Sequence, residues 1–118
     1  MRDFRNLEIW KKSVGFTIII YRLTDPFPEK EKFGLTSQLR RASVSMASNI
    51  AEGASRNSET DFARYLEISM GSAFEIETQL IVSREIGYIT FEEYNSALES
   101  LTVIQKQINQ LISKIRNN

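Results

Sequence analysis

Both prolines of this chain, Pro26 and Pro28, fall in one stretch, Thr24 to Gly34, and residues 29–118 contain none. A proline inside a helix costs about 3 kcal/mol. The long proline-free segments on either side of that stretch are therefore open to helix formation, and the spacing of their apolar residues favours it. Leu7, Trp10, Val14 and Tyr21 recur at helical intervals and predict a first helix over about residues 6–24. Leu35, Leu39, Ala42, Met46 and Ile50 stay on one face and predict a second over about 35–54. Ser58, with Asp61 three residues on, is a helix-start signal. It opens a third helix over about 58–86, whose stripe is Phe62, Leu66, Ser69, Ala73, Ile76 and Leu80, and Gly87 fits as its left-handed terminator. Thr90 and Glu93 have the spacing of a capping box, and Ile89 can staple onto Tyr94. Tyr94, Leu98, Leu101, Ile108, Ile112 and Ile115 then carry a fourth helix over about 90–116. Four amphipathic helices with short later connections predict an all-α, antiparallel, up-down-up-down four-helix bundle, as one domain over residues 1–118.

Composition narrows the function. The chain has no cysteine and no histidine. That excludes disulfides and thiolate zinc sites, and it removes both the commonest metal ligand and the usual general base near neutral pH. Glu52, Glu67, Glu75 and Glu77 are the carboxylates a metal reading would need, but the helical di-iron pattern pairs each Glu with a histidine. The serines lie in no nucleophile elbow, and no glycine-rich phosphate loop occurs. The expectation is a protein that is not an enzyme and holds no cofactor and no metal. The opening residues show no secretory signal, and the most apolar run, Phe16 to Tyr21, is too short to span a bilayer. A cytoplasmic protein with no membrane contact is expected.

Two features exceed what a single bundle needs. Phe16, Ile18, Ile19, Ile20 and Tyr21 wrap the whole circumference of the first helix. Ala63, Met70, Phe74 and Ile81 form a second stripe on the third helix, about 100° from its core stripe. Either the core face is wide, or Phe16, Ile19, Ile20, Met70, Phe74 and Ile81 form an interface between subunits. On the second helix, Gln38, Arg41, Ser45, Asn49 and Glu52 lie within about an 80° arc beside small residues that allow close approach. Such a stripe reads either as a hydrogen-bond network between helices or subunits, or as a ligand or nucleic-acid surface. Gly71 and Ser72 are expected at a close helix crossing. Glu52 is expected to accept from backbone N–H groups at the start of the third helix.

The run Leu39-Arg40-Arg41-Ala42-Ser43-Val44-Ser45-Met46-Ala47-Ser48-Asn49-Ile50-Ala51-Glu52-Gly53 resembles the signature of a known family. So do Leu7-Glu8-Ile9-Trp10, Phe27-Pro28, Phe33-Gly34-Leu35, Gln38, Arg56, Tyr65-Leu66, Gly71-Ser72, Glu75 and Gly87-Tyr88. The chain resembles the four-helix-bundle proteins encoded within intervening sequences of bacterial large-subunit ribosomal RNA genes, often labelled ribosomal protein-like. The accessory variability proteins of diversity-generating retroelements are similar to these. The resemblance implies a bundle that assembles as a ring, typically a homopentamer. It implies RNA or DNA, or a protein that processes nucleic acid, as the partner. Met70 stands where relatives often place a basic residue, and Ala47 where many carry proline.

Lys11, Lys12, Arg40, Arg41, Arg56 and Arg64 are the candidate phosphate contacts. Net charge is zero, with fifteen cations against fifteen anions, so binding would need these six to share one exposed surface. Aromatic residues that could stack on unpaired bases are not interleaved with them. In the competing reading Arg41 pairs internally with Glu52 or Glu75, and the lysines only solvate the first helix. The leading expectation is an oligomeric binding module associated with nucleic acid. The alternative is a protein-binding or structural homo-oligomer with no such contact.

Overall fold

The computed structural model describes residues 1–117, so position 118 of the expected domain lies outside the described residues. Four helices account for most of the chain: α1 is Glu8–Thr24, α2 Leu35–Ala54, α3 Glu59–Glu85 and α4 Phe91–Arg116. Short 3-10 turns, Phe4–Asn6 and Glu29–Glu31, precede α1 and α2. The local signals operate as written. The Ser58 hydroxyl accepts from the Asp61 N–H at 3.1 Å. The Thr90–Glu93 box is reciprocal, at 3.0 Å from the Glu93 N–H and 2.8 Å from the Thr90 N–H. Gly87 has φ +84°, and the Tyr88 and Gly87 N–H groups return to the carbonyls of Ser83 and Arg84, which closes α3 with a Schellman motif.

Each helix packs on its sequence neighbours, and α4 also packs on α1, so the bundle closes in up-down-up-down order. α1 and α3 lie on a diagonal of the bundle. The body measures 45 × 22 × 20 Å. Its core holds Phe16, Ile20, Leu39, Met46, Ile50, Phe62, Leu66, Ile76, Leu80, Leu101, Ile104 and Ile108. Phe16 and Ile20, expected at a subunit interface, are 2% and 0% exposed. They are core residues, because a side chain with no free surface offers none to a partner.

The closest seam runs between α2 and α3, and small residues make it. The Ser69 hydroxyl donates to the Met46 carbonyl at 2.7 Å, and Ser72 reaches the Ser45 hydroxyl at 3.1 Å. Ser72 thus sits at a crossing, as expected, but Gly71 does not. Gly71 is exposed, and a Cβ built on it would meet nothing within 4 Å. The glycine that permits close approach is Gly53, where a Cβ would stand 2.5 Å from Tyr65 Cβ and 3.3 Å from the Phe62 carbonyl oxygen. No helix among the described residues is long and apolar enough to cross a membrane.

Candidate functional site

The expected polar stripe becomes one wall of a cleft. Ser37, Gln38, Arg41 and Ser45 project from α2, and Ser72, Glu75 and Gln79 face them from α3. Phe33, from the connector before α2, stands at the rim and is 87% exposed. The cleft encloses about 650 Å³, within the usual range for small-ligand sites. The bonded Ser45 and Ser72 hydroxyls join its two walls, and Asn49 Nδ2 donates to the Ser45 carbonyl at 2.8 Å. Part of the stripe is therefore the interhelical network anticipated for it. Glu52 pairs with Arg56, and Gln38 and Arg41 are left uncommitted among the described residues. Among the described residues, neither Arg41 nor Glu75 has an oppositely charged group within 4.0 Å. The buried Gln79 Oε1 has no donor. Arg41 pairs with neither Glu52 nor Glu75, so its proposed internal ion pair is absent. Glu52 does not cap α3; its carboxylate meets Arg56 at 3.1 Å, while Ser58 caps that helix.

The six candidate cations do not converge. Lys11 and Lys12 lie in the first turns of α1, and Arg56 and Arg64 flank the α2–α3 turn at the same end of the bundle. Arg40 and Arg41 lie near the start of α2, and the 15 residues from Arg41 to Arg56 correspond to about 22 Å of helix. Several are already occupied. Arg40 donates to Thr24 Oγ1 at 2.9 Å and to the Tyr21 carbonyl at 3.2 Å, with its guanidinium 4.7 Å from the Tyr21 ring centroid. It holds α2 to the end of α1, which removes it from the free basic surface. Arg56 donates to the Tyr65 hydroxyl at 2.6 Å. The guanidiniums of Arg56 and Arg64 lie 4.9 and 5.0 Å from the Tyr65 ring centroid. Lys11 pairs with Glu8 at 3.5 Å. Lys12, Arg41 and Arg64 remain exposed, with no carboxylate within 4.0 Å among the described residues.

The carboxylates are scattered too. Glu67 pairs with Arg116 at 2.6 Å, and Glu77 accepts from Gln105 at 3.0 Å. No group of three potential ligands among the described residues could hold a metal ion. Shifted acidities among the described residues lie away from the cleft. The Tyr88 hydroxyl and the Leu35 N–H lower the Glu31 carboxyl, Glu31 raises the Tyr88 hydroxyl, and Arg5 lowers Asp3.

Apolar side chains are left outside on the two diagonal helices. On α1, Ile18, Ile19 and Tyr21 are 47, 44 and 44% exposed; on α3, Phe74 is 57% and Val82 43% exposed. Met70 and Ile81 are half-buried against the core. A groove over Gly15 is lined by Ile19 and Val103, and another over Gly71 by Leu35, Phe74 and Val82. Sequence periodicity missed the rim position of Phe33 because the residue lies outside any helix. It also missed Lys32, whose ammonium is 5.7 Å from the Phe33 ring centroid.

Residues 5–110 match the family model described as 23S rRNA-intervening sequence protein. Among solved structures, the chain is similar to a crystal structure of a protein with unknown function from the S23 ribosomal protein family, from Bacteroides thetaiotaomicron VPI-5482. The identity is 30% and the TM-score 0.79, covering 88% of this chain and 97% of that one. No curated protein matches significantly.

Proposed function

The chain belongs to the family of 23S rRNA-intervening sequence proteins, and from that premise we propose that it is a non-enzymatic module that works as a homo-oligomer. One observation carries the reading. Gly15 and Gly71 are exposed inside helices, and a Cβ on either would meet nothing within 4 Å. Glycine in a helix interior costs about 0.5–1 kcal/mol relative to alanine, and nothing within the subunit explains that cost. Each glycine floors a groove edged by exposed apolar side chains. A helix of a second copy is the occupant such grooves fit, because a missing Cβ lets backbones approach. The two grooves differ in residues, so a contact that sets the Gly15 groove of one copy against the Gly71 groove of the next is heterologous. Contacts of that kind close into rings or extend into filaments. Light scattering of the purified protein tests this. A closed ring is expected, a pentamer if the family resemblance extends to assembly, and a monomer across the accessible concentration range would refute it.

A second reading, nucleic-acid association, is favoured by the exposed cations Lys12, Arg41 and Arg64, which have no carboxylate within 4.0 Å among the described residues, although Arg64 lies against the Tyr65 ring. Repetition around a ring turns three weak phosphate contacts per copy into a multivalent surface. The same light-scattering experiment with a mixed RNA and DNA pool at low salt should show a mass increase that disappears as salt rises. A ring that ignores the pool points instead to a protein-binding scaffold.

A further inference from the structure

We propose that the α2–α3 cleft holds a single guanine nucleotide, its base stacked on Phe33 and its phosphate held by Arg41. For a nucleotide within a strand the proposal rests on the nucleic-acid reading above; for a free nucleotide it does not.

Phe33, Arg41, Glu75 and Gln79 all line the cleft, and together they make three demands. Phe33 presents an aromatic ring to solvent at the rim, where a flat apolar face would cover it; a stacked base is worth about tenfold or more in affinity. The Lys32 ammonium stands 5.7 Å from the centre of that ring. Among the described residues Arg41 has no carboxylate within 4.0 Å, and its fork suits a phosphate. Glu75 and Gln79 Oε1, one helical turn apart on α3, are acceptors without donors. Leaving the buried Gln79 Oε1 unpaired is costly, and the exposed Glu75 carboxylate beside it is a charged acceptor, so the pair suits two adjacent N–H donors. Among the common bases, only guanine has adjacent ring N–H and exocyclic amino donors on its pairing edge. The amide of Gln38, on the α2 wall, can donate to the neighbouring O6. Reading an unpaired base by stacking and by its pairing edge is how proteins take up single-stranded RNA.

The cleft shares Gln38, Glu75 and Gln79 with the groove over Gly71, so the test reads binding and assembly together. Fluorescence anisotropy compares a labelled uridine hexamer with the same hexamer carrying one central guanosine, and calorimetry compares GMP with CMP. The guanosine hexamer should bind about tenfold more tightly. Glu75→Gln should erase that preference and spare the residual affinity. Phe33→Leu should weaken both hexamers. Both side chains are exposed, so neither change threatens the fold. GMP binding with preference over CMP would identify a free nucleotide as sufficient; binding of the hexamer alone would identify the strand as the source. Equal affinity for both hexamers with no GMP binding overturns the proposal. It is equally overturned if the two variants alter the solution mass and leave the guanosine preference intact, because the cleft would then belong to the subunit contact.

Discussion

The Tyr88 hydroxyl donates to Glu31 Oε2 at 2.8 Å, joining the α3–α4 turn to the connector 57 residues earlier. The other oxygen of the same carboxylate accepts from the Leu35 N–H at 3.2 Å. Glu31 therefore satisfies the start of α2, which has no side-chain N-cap, and fixes the path of the only long connector. Tyr88 is the first cause of the downward shift of the Glu31 carboxyl, and the Leu35 N–H the second. A carboxyl lowered by folding adds stability above its ordinary value of 4.5 and loses it as pH falls through the folded value. Tyr88 is raised by the same contact, so its contribution is present below its ordinary value of 10.0 and fades as pH rises through the folded one. Tyr88→Phe should return the Glu31 carboxyl toward its ordinary value in an NMR titration. It should also flatten the acid limb of the melting-temperature profile. An unchanged Glu31 titration would contradict the assignment.

Gly53→Ala should destabilise the subunit by about 1–3 kcal/mol in denaturant unfolding. Two of the atoms its Cβ would meet, Tyr65 Cβ and the Phe62 carbonyl oxygen, belong to or adjoin the α3 backbone, so the helix itself must shift. A neutral result would mean that the α2–α3 seam is looser than these distances imply.

The helix ends were readable because they are written in local chemistry. Ser58, Gly87 and the Thr90–Glu93 pair act within a few residues of chain, and the expected bounds agree with the observed helices to within two residues. The roles of the glycines were not readable. Gly53 and Gly71 both sit on helices beside small residues, and only the rotation of each helix against its neighbour decides which is crowded. Arg40 and Arg41 differ by one position, about 100° around the helix. That rotation sends one onto α1 and the other into the cleft. Phe33 had no periodic signal at all. Its place at the cleft that Arg41 also lines follows from the connector containing the turn Glu29–Glu31, which no helical period marks.

The two arginines can be separated by mutation. Arg40→Ala should cost about 1 kcal/mol of stability through the lost bonds to Thr24 and the Tyr21 carbonyl. Arg41→Ala should leave the melting temperature unchanged, because its guanidinium makes no ion pair among the described residues. If nucleic acid binds, Arg41→Ala should weaken it and lower the salt dependence, since one phosphate contact per copy is removed. Equal stability losses for both variants would remove the distinction.

The open glycines supply a test whose sign differs between the two explanations of the exposed apolar surface. Suppose Gly15 and Gly71 face only solvent. Then Gly15→Ala and Gly71→Ala should each stabilise the helix by about 0.5–1 kcal/mol and leave the mass in solution untouched. If another subunit lies on them, each alanine pushes helices apart along a seam that includes Phe74 or Ile19. The isolated subunit should still gain stability, because nothing within 4 Å obstructs either Cβ. The assembly should weaken, visible as a lower mass by light scattering and a concentration-dependent melting temperature. Bulkier changes at the same positions, such as Gly71→Leu, should exaggerate the loss of mass without unfolding the bundle. Stabilisation with unchanged mass in both alanine variants would assign Ile18, Ile19 and Phe74 to ordinary exposed surface and end the case for contact through these helices.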